Sequence, residues 1–346
     1  MNRKYYESID LLKLLLLALI ILSSYTLVNT SGVPVISMLS FCVGTFYLIL
    51  GYFVLRDGEG ISERIKRSIR HAAIAFAIAA VVYFALNCLV MLITGGSIAG
   101  LFGKRAILEF VFLNAWGPNL GGNIWIVHAA LYALIIFYFL NKWGLLRYDM
   151  HIMIALILFA IVFGEGAGLI GFRFHGYTYI PGCFLTRAMP YMLLGRLIYK
   201  ARFNRDFGKI KTWMWVIIFF VGAALTFIEM IGLINAGKLA YLNHMIGFIP
   251  MSVAIFMVFL NMKRKFRFGR YFADIGNAGF YIYSVIAQVL YLIFSQCFTY
   301  VSPVVYGLLG VFTLIITLGL GILYARWKNR GNQKTESEEQ TNEASV

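Results

Sequence analysis

Apolar runs of about twenty residues, each closed by polar or basic clusters, recur along the chain, and a run of that length is what an α-helix needs to cross a bilayer core. Read this way, the sequence predicts ten spans, near 9–27, 35–55, 72–94, 123–140, 152–171, 181–199, 212–234, 241–262, 275–297 and 303–325. The stretch 97–116 is apolar too, but Lys104, Arg105 and Glu109 stand in its middle. Charges at the bilayer centre are costly, so an interfacial or re-entrant piece is expected there. The expected fold is all-α, a polytopic integral membrane protein with a transmembrane domain over 1–325. After Arg330 the chain turns polar and aperiodic, and with the basic residues just before it this predicts a disordered cytoplasmic tail over 326–346.

The charges test this frame. With the N-terminus inside, 24 of the thirty Lys and Arg fall in inner segments and five (Lys104, Arg105, Arg173, Arg187, Lys238) in outer ones, Lys13 lying within the first helix. Cytoplasmic segments of membrane proteins collect Lys and Arg, so both termini are expected inside. Composition agrees: 61% of residues are hydrophobic and 13% charged, against roughly one-quarter charged in soluble domains. A net charge of +15 would suggest nucleic acid in a soluble protein. Here the charges sit between spans, so no nucleic-acid partner is expected; membrane lipid is. Arg3, Lys4 and the apolar stretch Leu11–Leu22 resemble a signal segment without an A-x-A site, which reads as a retained first helix. Cys42, Cys88, Cys183 and Cys297 form no C-x-x-C pair and no metal-spaced set, so no metal is expected.

Ionisable residues inside spans mark candidate chemistry. Asp10, Lys13 and Ser24 share a face of the first helix: at about 100° per residue, Lys13 and Ser24 are offset by roughly 20° and Asp10 and Ser24 by roughly 40°. The alternative is structural, with Asp10 and Lys13 as an i, i+3 ion pair and Ser24 bonded to a backbone carbonyl. Arg64, Arg67 and Arg70 stand at threefold spacing where a cytoplasmic helix enters the third span. Such a row suits either the phosphates of a nucleotide-bearing donor or anchoring to anionic lipid. His128 and Ser24 are each about 6–8 Å below the outer boundary at 1.5 Å per residue, and would meet if their helices were neighbours. Glu165 and Glu229 would line a cavity or a proton path. The Gly-rich stretch 116–123 lacks the G-K-[ST] of a phosphate loop.

Six segments in order resemble the acyltransferase type 3 family: Ile9-Asp10-Leu-Leu-Lys13; Phe46 to Phe53 with Gly51-Tyr52-Phe53; Glu63-Arg64-Ile-Lys66-Arg67 through Arg70; Asn123-Ile-Trp125 through His128 to Leu131; Arg187 through Pro190-Tyr191 to Gly195; and Gly276-Asn277 through Phe280 to Tyr283. The resemblance covers residues 8 to about 324. It implies about ten helices and a membrane acyltransferase, with O-acetyl transfer from an acyl-CoA donor (acetyl-CoA) to a hydroxyl of an extracytoplasmic sugar or cell-envelope glycan. On this reading Arg64, Arg67 and Arg70 meet the donor's phosphates, Asp10 and Lys13 line the donor path, Trp125 binds substrate, and Ser24 with His128 sits at the acceptor; Glu165 joins the substrate-binding set as a charge inside a span. Four positions depart from the family pattern. Lys13 replaces an arginine, Ser24 a histidine expected as base, Ile286 a second histidine, and Leu50 the serine before the glycine of the second motif.

Imidazole suits proton abstraction near neutral pH and a serine hydroxyl does not. Three readings follow: His128 supplies the base, Ser24 relays the acyl group, or catalysis is lost. The last leaves a transporter or exporter of a lipid-linked substrate, or a noncatalytic accessory protein on the same fold.

Overall fold

A computed structural model describes residues 7–26, 38–95, 125–163, 183–203, 210–235, 245–262 and 303–343, with single positions within 103–110 and 275–290. Nine α-helices are ordered along these stretches: α1 Glu7–Thr26, α2 Phe41–Val54, α3 Ile61–Thr94, α4 Trp125–Lys142, α5 Asp149–Phe163, α6 Met189–Phe203, α7 Thr212–Asn235, α8 Phe248–Asn261 and α9 Pro303–Glu343. No strand occurs among the described residues. Five helical stretches are long and apolar enough to cross a membrane: Ile61–Ile93, Trp125–Lys142, Leu145–Val162, Thr212–Leu233 and Gly307–Trp327. Shorter apolar helices cover Phe41–Val54 and Phe248–Asn261.

Differences from the expected spans have local causes. α3 begins eleven residues before its expected span, at Ile61, because the basic helix and the third span are one continuous helix. At 1.5 Å per residue it is about 51 Å long, against roughly 30 Å of hydrocarbon, so its basic first turns project beyond the apolar layer. It stops at Gly95, whose φ of 71° ends a helix without a Cβ penalty. α9 continues to Glu343, through the polar stretch for which composition predicts disorder. Once an apolar helix is nucleated, adding residues costs little, so the polar stretch extends it.

The helices sort by burial. α2 is buried almost all round, from Phe41 through Val54, and packs against α6, α8 and α1. A helix apolar on every side must be covered by others. By contrast α3, α5, α7 and α9 expose Ile78, Val81, Leu158, Phe220, Ile228 and Ile315. An apolar surface of that extent is a lipid face.

Contacts fix relative directions. Lys13 lies by Phe53, making α1 antiparallel to α2. Asn141 donates to the Ser62 hydroxyl (3.0 Å) and Phe76 stacks on His128, making α3 antiparallel to α4. The end of α3 and the start of α4 therefore point to one end of the bundle; most of the stretch 97–116 lies outside the described residues. Asp149 meets Arg196 and Glu229 meets Ile246, so α5–α6 and α7–α8 are antiparallel pairs. α2 and α6 run parallel, with Arg187 at Ser40 and Arg196 at Leu55.

This parallel pair is in very close backbone contact. A Cβ on Gly51 would fall on the Met192 backbone, and one on Gly195 on the backbone of Leu48 and Tyr52. Without a hydrophobic drive between helices in lipid, such backbone approach is a main source of helix association. Gly51→Ala is expected to cost about 1–3 kcal/mol by overpacking. Gly319→Ala, with open space around it on α9, should leave stability unchanged or slightly higher. Thermal unfolding in detergent, followed by labelling of the buried Cys42 thiol, measures both.

Candidate functional site

The first turns of α1 hold Asp10 and Lys13 as an i, i+3 ion pair, with Lys13 Nζ 3.2 Å from Asp10 Oδ1 and each side chain about one-fifth exposed. The Lys13 ammonium lies 5.8 Å from the Phe53 ring centroid at the end of α2. Gly276 closes the other side, where an added Cβ would stand 3.5 Å from Lys13 Cβ. A partly exposed pair of this kind contributes little stability. Its placement at the junction of α1, α2 and the 275–279 helical positions leaves a cation and a carboxylate at one end of the bundle. The backbone of Ser24 is part of α1; its side-chain surroundings, like the whole of Glu165, lie outside the described residues. The neighbouring Ser23 donates back to the Ile20 carbonyl (2.9 Å).

His128 occupies a second cluster, on the first turns of α4. Its ring is 1% exposed, stacked on Phe76 (centroids 4.6 Å) and Phe110 (4.7 Å), with Tyr132 edge-on at 4.4 Å. Tyr132 in turn donates to the Phe110 carbonyl (3.3 Å) and meets the Phe184 ring at 5.4 Å. Aromatic rings prefer such offset and edge-to-face contacts, so the box orients the imidazole as well as covering it. α1 packs along α9, α2 and α8, whereas α4 packs along α3 and the turn at 184–188. The helix of the polar stripe and that of His128 are thus not among the pairs that pack along one another in the described residues. Depth along a helix is set by sequence, but adjacency is set by which helices pack.

One α-helical turn before His128, the half-buried Trp125 carries Arg187 over its ring at 5.3 Å. Arg187 sits in a π-helical turn, Phe184–Ala188, that opens α6; such turns are frequent at functional sites. The guanidinium is buried and donates through Nη2 to the Ser40 carbonyl (2.7 Å). Tyr47 donates to the Ile126 carbonyl (3.0 Å), tying α2 to the start of α4. Sequence reading had counted Arg187 only as one outer charge within a motif. Its signal was a cation beside Pro190 inside an apolar span, where burial requires partners.

The basic row divides. Arg64, expected to face donor phosphates, instead spends its fork on backbone carbonyls: Nη1 on Glu59 (2.8 Å), Nη2 on Arg56 (2.5 Å) and Nε on Val54 (3.4 Å). The physical reason is that α2 ends just before it, leaving carbonyls that a guanidinium satisfies well. Arg67 and Arg70, one and two turns on, are exposed. Glu229 likewise has a structural partner, accepting the Ile246 N–H (2.8 Å) at the start of α8.

A buried knot that the sequence reading missed lies beside this loop. Arg196 Nε donates to Asp149 Oδ2 (2.8 Å), Nη2 meets Asp57 Oδ1 (2.5 Å) and Nη1 donates to the Leu55 carbonyl. Lys200 reaches Asp149 (2.5 Å) and Asp57 (3.7 Å). Its only sequence signal is Arg196 and Lys200 at i, i+4.

The segments that carry the resemblance therefore converge: Ile9–Lys13 on Phe53 and Gly276, Gly51 on Met192, Tyr47 on Ile126, and Trp125 on Arg187. No curated protein and no solved structure matches the chain. A family model described as an acyltransferase domain matches residues 6–324, nearly the whole chain and all of these segments, and the chain thus belongs to the acyltransferase type 3 family.

Proposed function

We propose that this membrane acyltransferase family member transfers an acyl group, in the simplest case acetyl, from an acyl-CoA donor to a hydroxyl of an extracytoplasmic sugar or envelope polymer. It works as a multi-pass protein of the cell membrane with ten spans and both termini inside; the alternating helix directions and the segregated Lys and Arg support that frame. The observation that carries the reading is the convergence of the family segments around two polar clusters at the two ends of one buried helix pair.

In this reading the donor's phosphates meet the exposed Arg67 and Arg70, since guanidinium forks match phosphate oxygens. Lys13, neutralised in part by Asp10, lines the path of the thioester. The acceptor oxygen attacks the thioester carbonyl carbon, the C–S bond breaks, and an ester and a thiol result. The hydroxyl proton passes to His128 and from there to the leaving thiolate, a task for which imidazole is suited. Trp125, Arg187 and Glu165 belong to the acceptor side, and Ser24 occupies the position of the family's histidine.

A second reading rests on a specific observation. His128 is enclosed by Phe76, Phe110 and Tyr132, on a helix that does not pack along α1. Together with Ser24 in place of a histidine, this fits an accessory or exporting protein that has kept the fold and lost the chemistry.

Purified protein in nanodiscs, given acetyl-CoA and envelope glycan, is expected to release thiol and add acetyl to the glycan. His128→Gln should lower kcat by about a hundredfold or more, the usual contribution of a positioned acid–base group. Full activity in that variant removes His128 from the mechanism, and no thiol release with any envelope glycan supports the second reading. Arg67→Ala and Arg70→Ala should each raise the donor KM about tenfold, the worth of a charged hydrogen bond, with little change in kcat.

A further inference from the structure

The knot around Arg196, with Asp149 buried and Asp57 and Lys200 partly exposed, is a group of charges among the described residues that the proposed chemistry does not use. Arg196 is 6% exposed at its side chain and its guanidinium contacts two carboxylates and a backbone carbonyl. Breaking a buried pair is far more disruptive than never having had one, so such a network holds its parts in one arrangement. Two of its three acceptors, Asp57 and the Leu55 carbonyl, belong to the loop between α2 and α3.

That loop needs holding. It contains Gly58 and Gly60 at φ of 112° and 75°, conformations that leave the backbone unconstrained by side chains. Arg196 fixes it from the α6 side through Asp57 and Leu55. Arg64 fixes it from the α3 side through the carbonyls of Val54, Arg56 and Glu59. The two guanidinium groups thus grip one six-residue turn from opposite helices. What lies beyond Arg64 on the same helix is the exposed pair Arg67 and Arg70, and the first turns of α3 have little other packing against α2.

We propose that Arg196, seated between Asp149 and Asp57, is a positioning residue that locks the Leu55–Gly60 turn and, through Arg64, presents Arg67 and Arg70 to the phosphate groups of the donor. The proposal rests on the donor reading given above. Arg196 touches no reacting atom. Its effect is on the geometry of an anion-binding row, so it changes donor affinity rather than the transfer step.

The test uses the full-length protein in nanodiscs with coenzyme A as the binding probe and acetyl-CoA for kinetics. Asp57 is half exposed, so Asp57→Asn is expected to fold with an unchanged thermal midpoint. It should weaken coenzyme A binding and raise the donor KM about tenfold, the worth of one charged hydrogen bond, with kcat held. Asp57→Glu, which keeps the carboxylate, should restore most of the affinity. In an Arg67→Ala, Arg70→Ala background, Asp57→Asn should add no further loss, because coupled groups are non-additive; a general loss of stability would add. Arg196→Lys should weaken coenzyme A binding as Asp57→Asn does, and should in addition lower the thermal midpoint, because it disturbs the buried pair with Asp149. If Arg67→Ala and Arg70→Ala weaken coenzyme A binding but Asp57→Asn and Arg196→Lys do not, the lock is overturned and the donor reading stands. If Arg67→Ala and Arg70→Ala leave coenzyme A binding intact, the donor reading fails and the lock fails with it.

Discussion

Two arginines of one helix segment hold the two ends of another. Arg187, in the π-turn that opens α6, donates to the Ser40 carbonyl at the start of α2; Arg196, two turns into α6, donates to the Leu55 carbonyl at its end. Between them Gly51 and Gly195 let the two backbones touch. α2 has 14 residues and is therefore about 21 Å long, short of the roughly 30 Å of hydrocarbon. Leu55 at its end is fully buried in the protein, where an unsatisfied carbonyl costs about 1–3 kcal/mol. Arg196 removes that cost at the Leu55 carbonyl, Arg187 ties the start of α2 to α6 through the Ser40 carbonyl, and the glycines bring the two helices close enough for both contacts. A short buried helix at the centre of the bundle depends on this pairing.

Much of the remaining arrangement is referred to that pair. At one end, Arg187 also lies over Trp125, which fixes the start of α4 and with it His128 one turn later. Tyr47 of α2 reaches the Ile126 carbonyl from the same side. At the other end, Arg196 gathers Asp149 from α5 and Asp57 from the loop, and Phe53 of α2 lies beside Lys13 of α1. The two polar regions of the molecule are thus coupled to the two ends of one rigid element. On the proposed reading, transfer between a donor at one end and an acceptor at the other needs both ends held in register, since misplacement by about an ångström can cost a hundredfold in rate.

The limits of helix-face reasoning are visible in α1 and the basic row. In the expected stripe Asp10 and Lys13 do pair, as the structural alternative has it, while the side chain of Ser24 lies outside the described residues. The row Arg64, Arg67, Arg70 reads as three equal phosphate forks by spacing alone. In the structure its first member is a loop clamp, because free carbonyls at the end of α2 stand within its reach.

The sequence by itself determined the solvent, the helices and much of their extent. Span length and the absence of charge are properties of consecutive residues, so α4, α7 and the apolar part of α9 were legible within a few positions, as was the continuity of basic helix and third span. The ordered family segments were legible for the same reason: each is a local string. Only the tertiary structure decided which of those strings touch. Nothing along the chain says that α1 lies along α9 while α4 lies along α3, that His128 is boxed by Phe76, Phe110 and Tyr132, or that Arg196 and not Arg64 shares two carboxylates. Those outcomes depend on close approach at a few glycines and on where backbone carbonyls are left over at helix ends, and both are settled between helices rather than within them.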